Sequence, residues 1–166
     1  MPPRLPFPHH PLMKLKQWIT PFLALGALLV LAACQNNNVL ISRGLSIALT
    51  KIERTTSGSY AVTWQVVNPN VVSYVVDRSE HKVFLNDVLV GTVAKKARQG
   101  VPPQNKAEGT DTLTLASPAA TDRLAQAIGQ GPQSYRVEST IWVLLSDDDT
   151  SKSQLTSSGA VAVTAQ

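Results

Sequence analysis

Apolar and polar residues alternate with period two along most of this chain, and that alternation predicts strands. In residues 45–50, Leu45, Ile47 and Leu49 alternate with Ser46, Ala48 and Thr50. The phase slips at Lys51-Ile52, which predicts a bulge. After a turn in "TTSGSY", Tyr60, Val62, Trp64 and Val66 share one face of the clearest strand, which stops at Asn68-Pro69-Asn70. Proline cannot donate to a ladder and asparagine favours turns, so the stop is physical. "HKVFLNDVLVGTV" predicts a hairpin around Asn86-Asp87, two residues that tolerate the positive φ of a tight turn. A long loop over 94–108 comes next, then a strand "TDTLTL" with Leu113 and Leu115 on one face.

One segment changes period. Ser117 is a candidate N-cap with Pro118 behind it, Leu124 and Ile128 form a helical stripe, and Gly129 ends it. "SYRVESTIWVLL" then puts Tyr135, Val137, Ile141, Val143 and Leu145 on one face. "SDDDTS" turns the chain, and residues 154–163 supply the last strand. Short strands separated by turn signals predict an all-β, antiparallel sandwich of about seven strands with one short helix.

The N-terminal region follows another rule. Residues 22–33 are all apolar or glycine, with Lys14 and Lys16 upstream. Spanning a bilayer takes about 20 apolar residues, so the run is short for a spanning helix and matches the core of a secretory signal peptide. Its exit, Leu31-Ala32-Ala33-Cys34, resembles the lipobox of bacterial lipoproteins, in which the cysteine is lipidated and becomes the first mature residue. Cys34 is the only cysteine, so no internal disulfide competes for it. Residues 1–12 are proline-rich and unlike a signal peptide start, which points to Met13 as the start and sets His9 and His10 aside as ligands. The expected organisation is a leader and signal peptide over 1–33, lipidated Cys34 with a tether to 44, and one domain over 45–166. The resemblance implies a membrane partner through Cys34. With Gln35 rather than aspartate next, it implies the periplasmic face of the outer membrane in a Gram-negative cell, or otherwise the outer face of the cytoplasmic membrane.

Cleavage also changes the charge. Of 15 basic residues, Arg4, Lys14 and Lys16 leave with the leader, so 12 remain against 11 acidic ones. That balance gives no warrant for nucleic-acid binding.

In chain order, "WQVVNPN", a further strand, "VFLNDVLVGTV", Val101-Pro102 before a Thr/Leu strand, then a helix, "YRVEST", an acidic turn and "SSGAVAV" resemble the late embryogenesis abundant type 2 family. The same module is called the WHy (water stress and hypersensitive response) domain. The resemblance runs from Leu45 to Val163, departing at Asp87 and Ala160. It implies a fibronectin-type-III/immunoglobulin-like sandwich, no enzymatic activity, no cofactor or metal, and protection of envelope proteins or membranes in desiccation or related stress. The alternative is an interaction module that docks one envelope protein.

Candidate sites have competing readings. Asn68, Pro69 and Asn70 form a recognition loop or a structural corner. Lys95, Lys96, Arg98 and Lys106 form a basic loop that touches anionic headgroups or guards a sheet edge. Asp147-Asp148-Asp149 is a calcium site or a hairpin turn. The turn is favoured, because three consecutive carboxylates cannot converge on one ion. His81 stands without the nucleophile and orienting group that covalent catalysis requires. Trp64 and Trp142 are expected to pack in the core, with carbohydrate stacking the alternative for Trp142. No small-molecule substrate is evident.

Overall fold

The computed structural model describes residues 44–146 and 149–166. The elements run β1 (Ser46–Arg54), β2 (Tyr60–Asn68), β3 (Tyr74–Leu85), β4 (Val88–Lys95), β5 (Gln99–Val101), β6 (Asn105–Thr112), β7 (Thr114–Leu115), α1 (Pro118–Ala127), β8 (Gln133–Ser146), β9 (Asp149–Val161) and β10 (Val163–Ala165). One sheet has the order β10-β1-β2-β6; the other runs β7-β4-β3-β8-β9, with β5 also paired to β3. The fold class is the expected one, an antiparallel β-sandwich with one short helix.

The alternation signals became the core. Leu45, Ile47 and Leu49 are buried, and the register between β1 and β2 shifts between Leu49 and Lys51, so that Ile52 is buried in turn. Tyr60, Val62, Trp64 and Val66 all face inward and are almost fully shielded. Opposite them stand Val83, Leu85, Val90, Val137, Ile141 and Val143 from the second sheet. Each such side chain contributes roughly 1.5 to 3 kcal/mol when fully buried. The helix is capped as expected: Ser117 Oγ accepts from the Ala120 amide at 3.3 Å, and Leu124 is fully buried. Gly129 then takes a φ of +74°, which only glycine adopts freely.

Four expectations need correction. The strand count is ten rather than seven among the described residues. The added strands are short or rest on long-range partners: β5 and β6 lie within and beyond the expected loop over 94–108. The single strand expected for "TDTLTL" is split at Leu113, whose amide donates to Tyr60 O in one sheet while Thr114–Leu115 pairs with β4 in the other. Leu145 is 42% exposed, because the β8–β9 register shifts between Leu144 and Ser146. One pairing, β10 with β1, is parallel, because the chain changes sheet after Val161.

Among the described residues, no helix is long and apolar enough to cross a membrane. Leu31, Ala32, Ala33 and Cys34 lie outside the described residues, as do the leader, most of the tether, and Asp147 and Asp148.

Candidate functional site

The corner after β2 is built from long-range hydrogen bonds. Asn68 ends the most regular strand and is itself buried. Its side-chain Nδ2 donates to Val72 O at 2.8 Å and to Pro102 O at 2.9 Å, and its Oδ1 accepts from the Asn70 amide at 2.9 Å. The Gln104 amide donates to Asn70 O at 2.8 Å. One asparagine therefore fixes its own turn and fastens it to the β5–β6 connection more than thirty residues on. Asn68, Pro69 and Asn70 take the structural reading. Val71 and Val72 follow at once and project into solvent, 77% and 53% exposed.

The basic loop is not one patch. Lys95 reaches back across the sandwich, its Nζ 5.2 Å from the centre of the Trp64 ring. Arg98 pairs with Asp77 at 2.9 Å, and Asp77 also meets Arg78 at 3.6 Å. Lys96 and Lys106 are exposed, as is Arg98, and Lys106 lies beside Pro69, Gln104 and Asn105.

His81 belongs to a polar layer inside the core. Its Nδ1 lies 2.8 Å from Ser139 Oγ and its Nε2 2.9 Å from Ser79 Oγ; all three residues are buried. The ring leans on Trp64 with centroids 4.9 Å apart, and Trp64 Nε1 donates to Asp111 Oδ2 at 3.0 Å. A methyl on Gly109 would stand 2.7 Å from the Trp64 ring, so the indole fits only because that residue is glycine. Burial pushes the His81 pKa down to about 4, against a smaller upward pull from Asp111. A serine within hydrogen-bond reach of a histidine is the first requirement of nucleophilic catalysis. Here both ring nitrogens are engaged, Asp111 orients the tryptophan rather than the histidine, and a substrate would have to enter the core. The spacing Ser79-x-His81 carries a buried-layer signal that sequence reading missed: in an alternating strand both residues face inward.

A shallow groove of about 400 Å³ crosses the outer face of the second sheet, where Glu80, Lys82, Glu138, Thr140, Gln154 and Thr156 face outward. Trp142 stands on the same face rather than in the core as expected. Arg78 covers its ring at 4.4 Å, and Lys152 lies 5.6 Å from it. Farther along, Arg136 stacks on Phe84 at 3.8 Å and pairs with Glu138. Alternation gave the parity of Trp142 but not which parity faces the core. Among the described residues, no group of three or more His, Cys, Asp or Glu could hold a metal ion.

No family model matches the chain, and no curated protein is similar to it. Several solved structures are. One is a crystal structure of a protein from Archaeoglobus fulgidus, 16% identical with a TM-score of 0.36 over 71% of this chain and 95% of that one. A solution structure of a protein provisionally assigned to the late embryogenesis abundant (LEA) class is 8% identical, with a TM-score of 0.43 over 88% and 87%. The periplasmic chaperone SfaE is 13% identical, with a TM-score of 0.30 over 72% of this chain and 56% of that one. At these values no function is read from the likeness.

Proposed function

We propose that this chain is a non-enzymatic, lipid-anchored protein of the cell envelope whose sandwich domain protects neighbouring proteins or membranes in desiccation or related stress. The anchor rests on the apolar run over 22–33 and Leu31-Ala32-Ala33-Cys34. The protective role rests on the sequence motifs that resemble the WHy module. The observation that carries the reading is the use made of those motifs. Asn68, Pro69 and Asn70 hold a corner, and Asn86 and Asp87 turn a hairpin with φ of 48° and 63°. Residues doing this work maintain a fold; the surfaces around them are what meets other molecules.

The test is recovery of a desiccation-sensitive enzyme dried with the mature chain, with albumin and an unrelated sandwich at equal mass as controls. Recovery clearly above both controls is expected. Recovery equal to theirs would overturn the protective role.

A second reading, docking to one envelope protein, is favoured by β6, which ends its sheet with one ladder edge open to strand addition. Cross-linking in cells would then trap one stoichiometric partner, where a general protectant gives a broad spread of adducts.

A further inference from the structure

The end of the sandwich where the described chain begins has a feature that a protective role leaves unused. Gly44 lies against the Asn68 corner: a methyl there would stand 3.2 Å from Pro69 Cγ and 3.5 Å from Asn70 Nδ2. Val71 and Val72, just past that corner, are the two most exposed large apolar side chains among the described residues. Their backbone is tied on both sides, by Asn68 Nδ2 to Val72 O and by the Gln104 amide to Asn70 O. The pairing of Val76 with Val143 brings the ends of β3 and β8 to the same pole, adding the exposed Val75 and Leu145. Lys106 flanks Pro69, and Lys96 follows the end of β4 on this side. Among the described residues Asp149, at the start of β9, and Asp77, paired with Arg98 and Arg78, are the acidic groups on this side, and Asp147 and Asp148 precede Asp149 in the sequence.

We propose that this pole is a lipid-contact face, with Val71 and Val72 entering the boundary between headgroups and acyl chains and Lys106 lying against headgroup phosphates. The inference rests on the lipid-anchored reading and adds a second, non-covalent contact to it. Geometry selects the occupant. Gly44 stands ten residues after Cys34. Ten residues reach about 33 Å when fully extended and roughly 17 Å as a relaxed coil. A tether that short holds the Gly44 pole nearest the surface to which Cys34 is attached. Apolar side chains on a fixed backbone beside a cation match what a membrane interface takes up.

The experiment uses the full chain, processed in a lipoprotein-competent bacterium and reconstituted in vesicles of phosphatidylethanolamine and phosphatidylglycerol. Single substitutions Val71→Cys, Val72→Cys and, at the opposite pole, Thr56→Cys each introduce a thiol for a spin label. Cys34 is the only native cysteine, so unsubstituted protein reports on the anchor by itself. If its thiol is blocked, the anchored reading stands. If it reacts, that reading fails and the lipid-contact face falls with it. With the anchor standing, labels at positions 71 and 72 should lose accessibility to a nickel chelate severalfold on reconstitution and gain accessibility to oxygen, while the label at 56 is unchanged. Equal nickel accessibility at all three positions would overturn the proposal alone. So would shielding of 71 and 72 in native membranes but not in vesicles, which would assign the pole to a protein partner.

Discussion

At one end of the sandwich, β1 passes into β2 through Thr55–Ser59 and β3 into β4 through Asn86-Asp87. The first is closed by bonds within its own few residues, such as the Thr55 amide to Ser59 O at 2.8 Å, and the second is a two-residue turn whose Asn86 amide also donates to Ser134 O at 2.8 Å. At the other end, the path from β2 to β3 is held by Asn68 reaching Pro102 and by Gln104 reaching Asn70. The first end is built of tight turns in which the chain reverses within two to five residues. The second is a tertiary assembly that presents two valines to solvent. A local turn needs little beyond its own sequence, whereas a corner fastened from thirty residues away can hold an exposed apolar tip in fixed shape.

Asn68→Ala should have the largest effect on the fastened corner. The loss leaves Val72 O, Pro102 O and the Asn70 amide without that partner, in a corner whose asparagine is 1% exposed. Three part-buried hydrogen bonds lost together should cost roughly 2 to 3 kcal/mol, read as a lower urea midpoint. A cost below about 1 kcal/mol would mean that the corner is not fastened this way.

A pH series probes the layer between the ends. The folded pKa of His81 is about 4, below its ordinary value of 6.5. The unfolded chain therefore takes up a proton that the folded chain refuses. Stability should be full above about pH 6.5 and decline as pH falls, with the loss complete below about pH 4, at a total near 3 kcal/mol. Carboxylates titrate in part of the same window, so the measurement is the difference between the parent chain and His81→Gln. A difference independent of pH would remove the account of the buried layer.

Smaller effects separate the two ends. Asp87→Gly should stabilise the chain by about 0.5 kcal/mol, because residue 87 has a φ of 63° in a turn where glycine is preferred. Its carboxylate forgoes only a 3.9 Å contact to Arg136 at an almost fully exposed site. Val71→Ser should change stability by less than about 0.5 kcal/mol, since the side chain is 77% exposed. Thermal melts of both variants check these signs, and a large loss for Val71→Ser would show that the valine packs rather than projects.

The same contrast explains what was legible in the sequence. The bulge at Lys51, the inward face of β2, the Asn86-Asp87 hairpin and the Ser117 cap are local patterns, and each appears where its pattern put it. β5 and β6 were hidden, because Gly100, Pro102, Pro103 and Gly109 break the alternation and the pairing that makes these strands comes from β3 and β2. Trp142 had the right parity and the wrong face, since period two does not say which side is buried. At the candidate site the corner residues were readable as turn formers. Their long-range bonds, and the exposure of Val71 and Val72, depend on where Pro102 and Gln104 arrive in space.

The central claim is that the sandwich hangs from a lipid on Cys34. The direct measurement is the intact mass and N-terminal fragment mass of the chain isolated from bacterial membranes. The account predicts a chain that begins at Cys34 and carries acyl chains on that residue. A chain that begins elsewhere, or an unmodified Cys34, would contradict it.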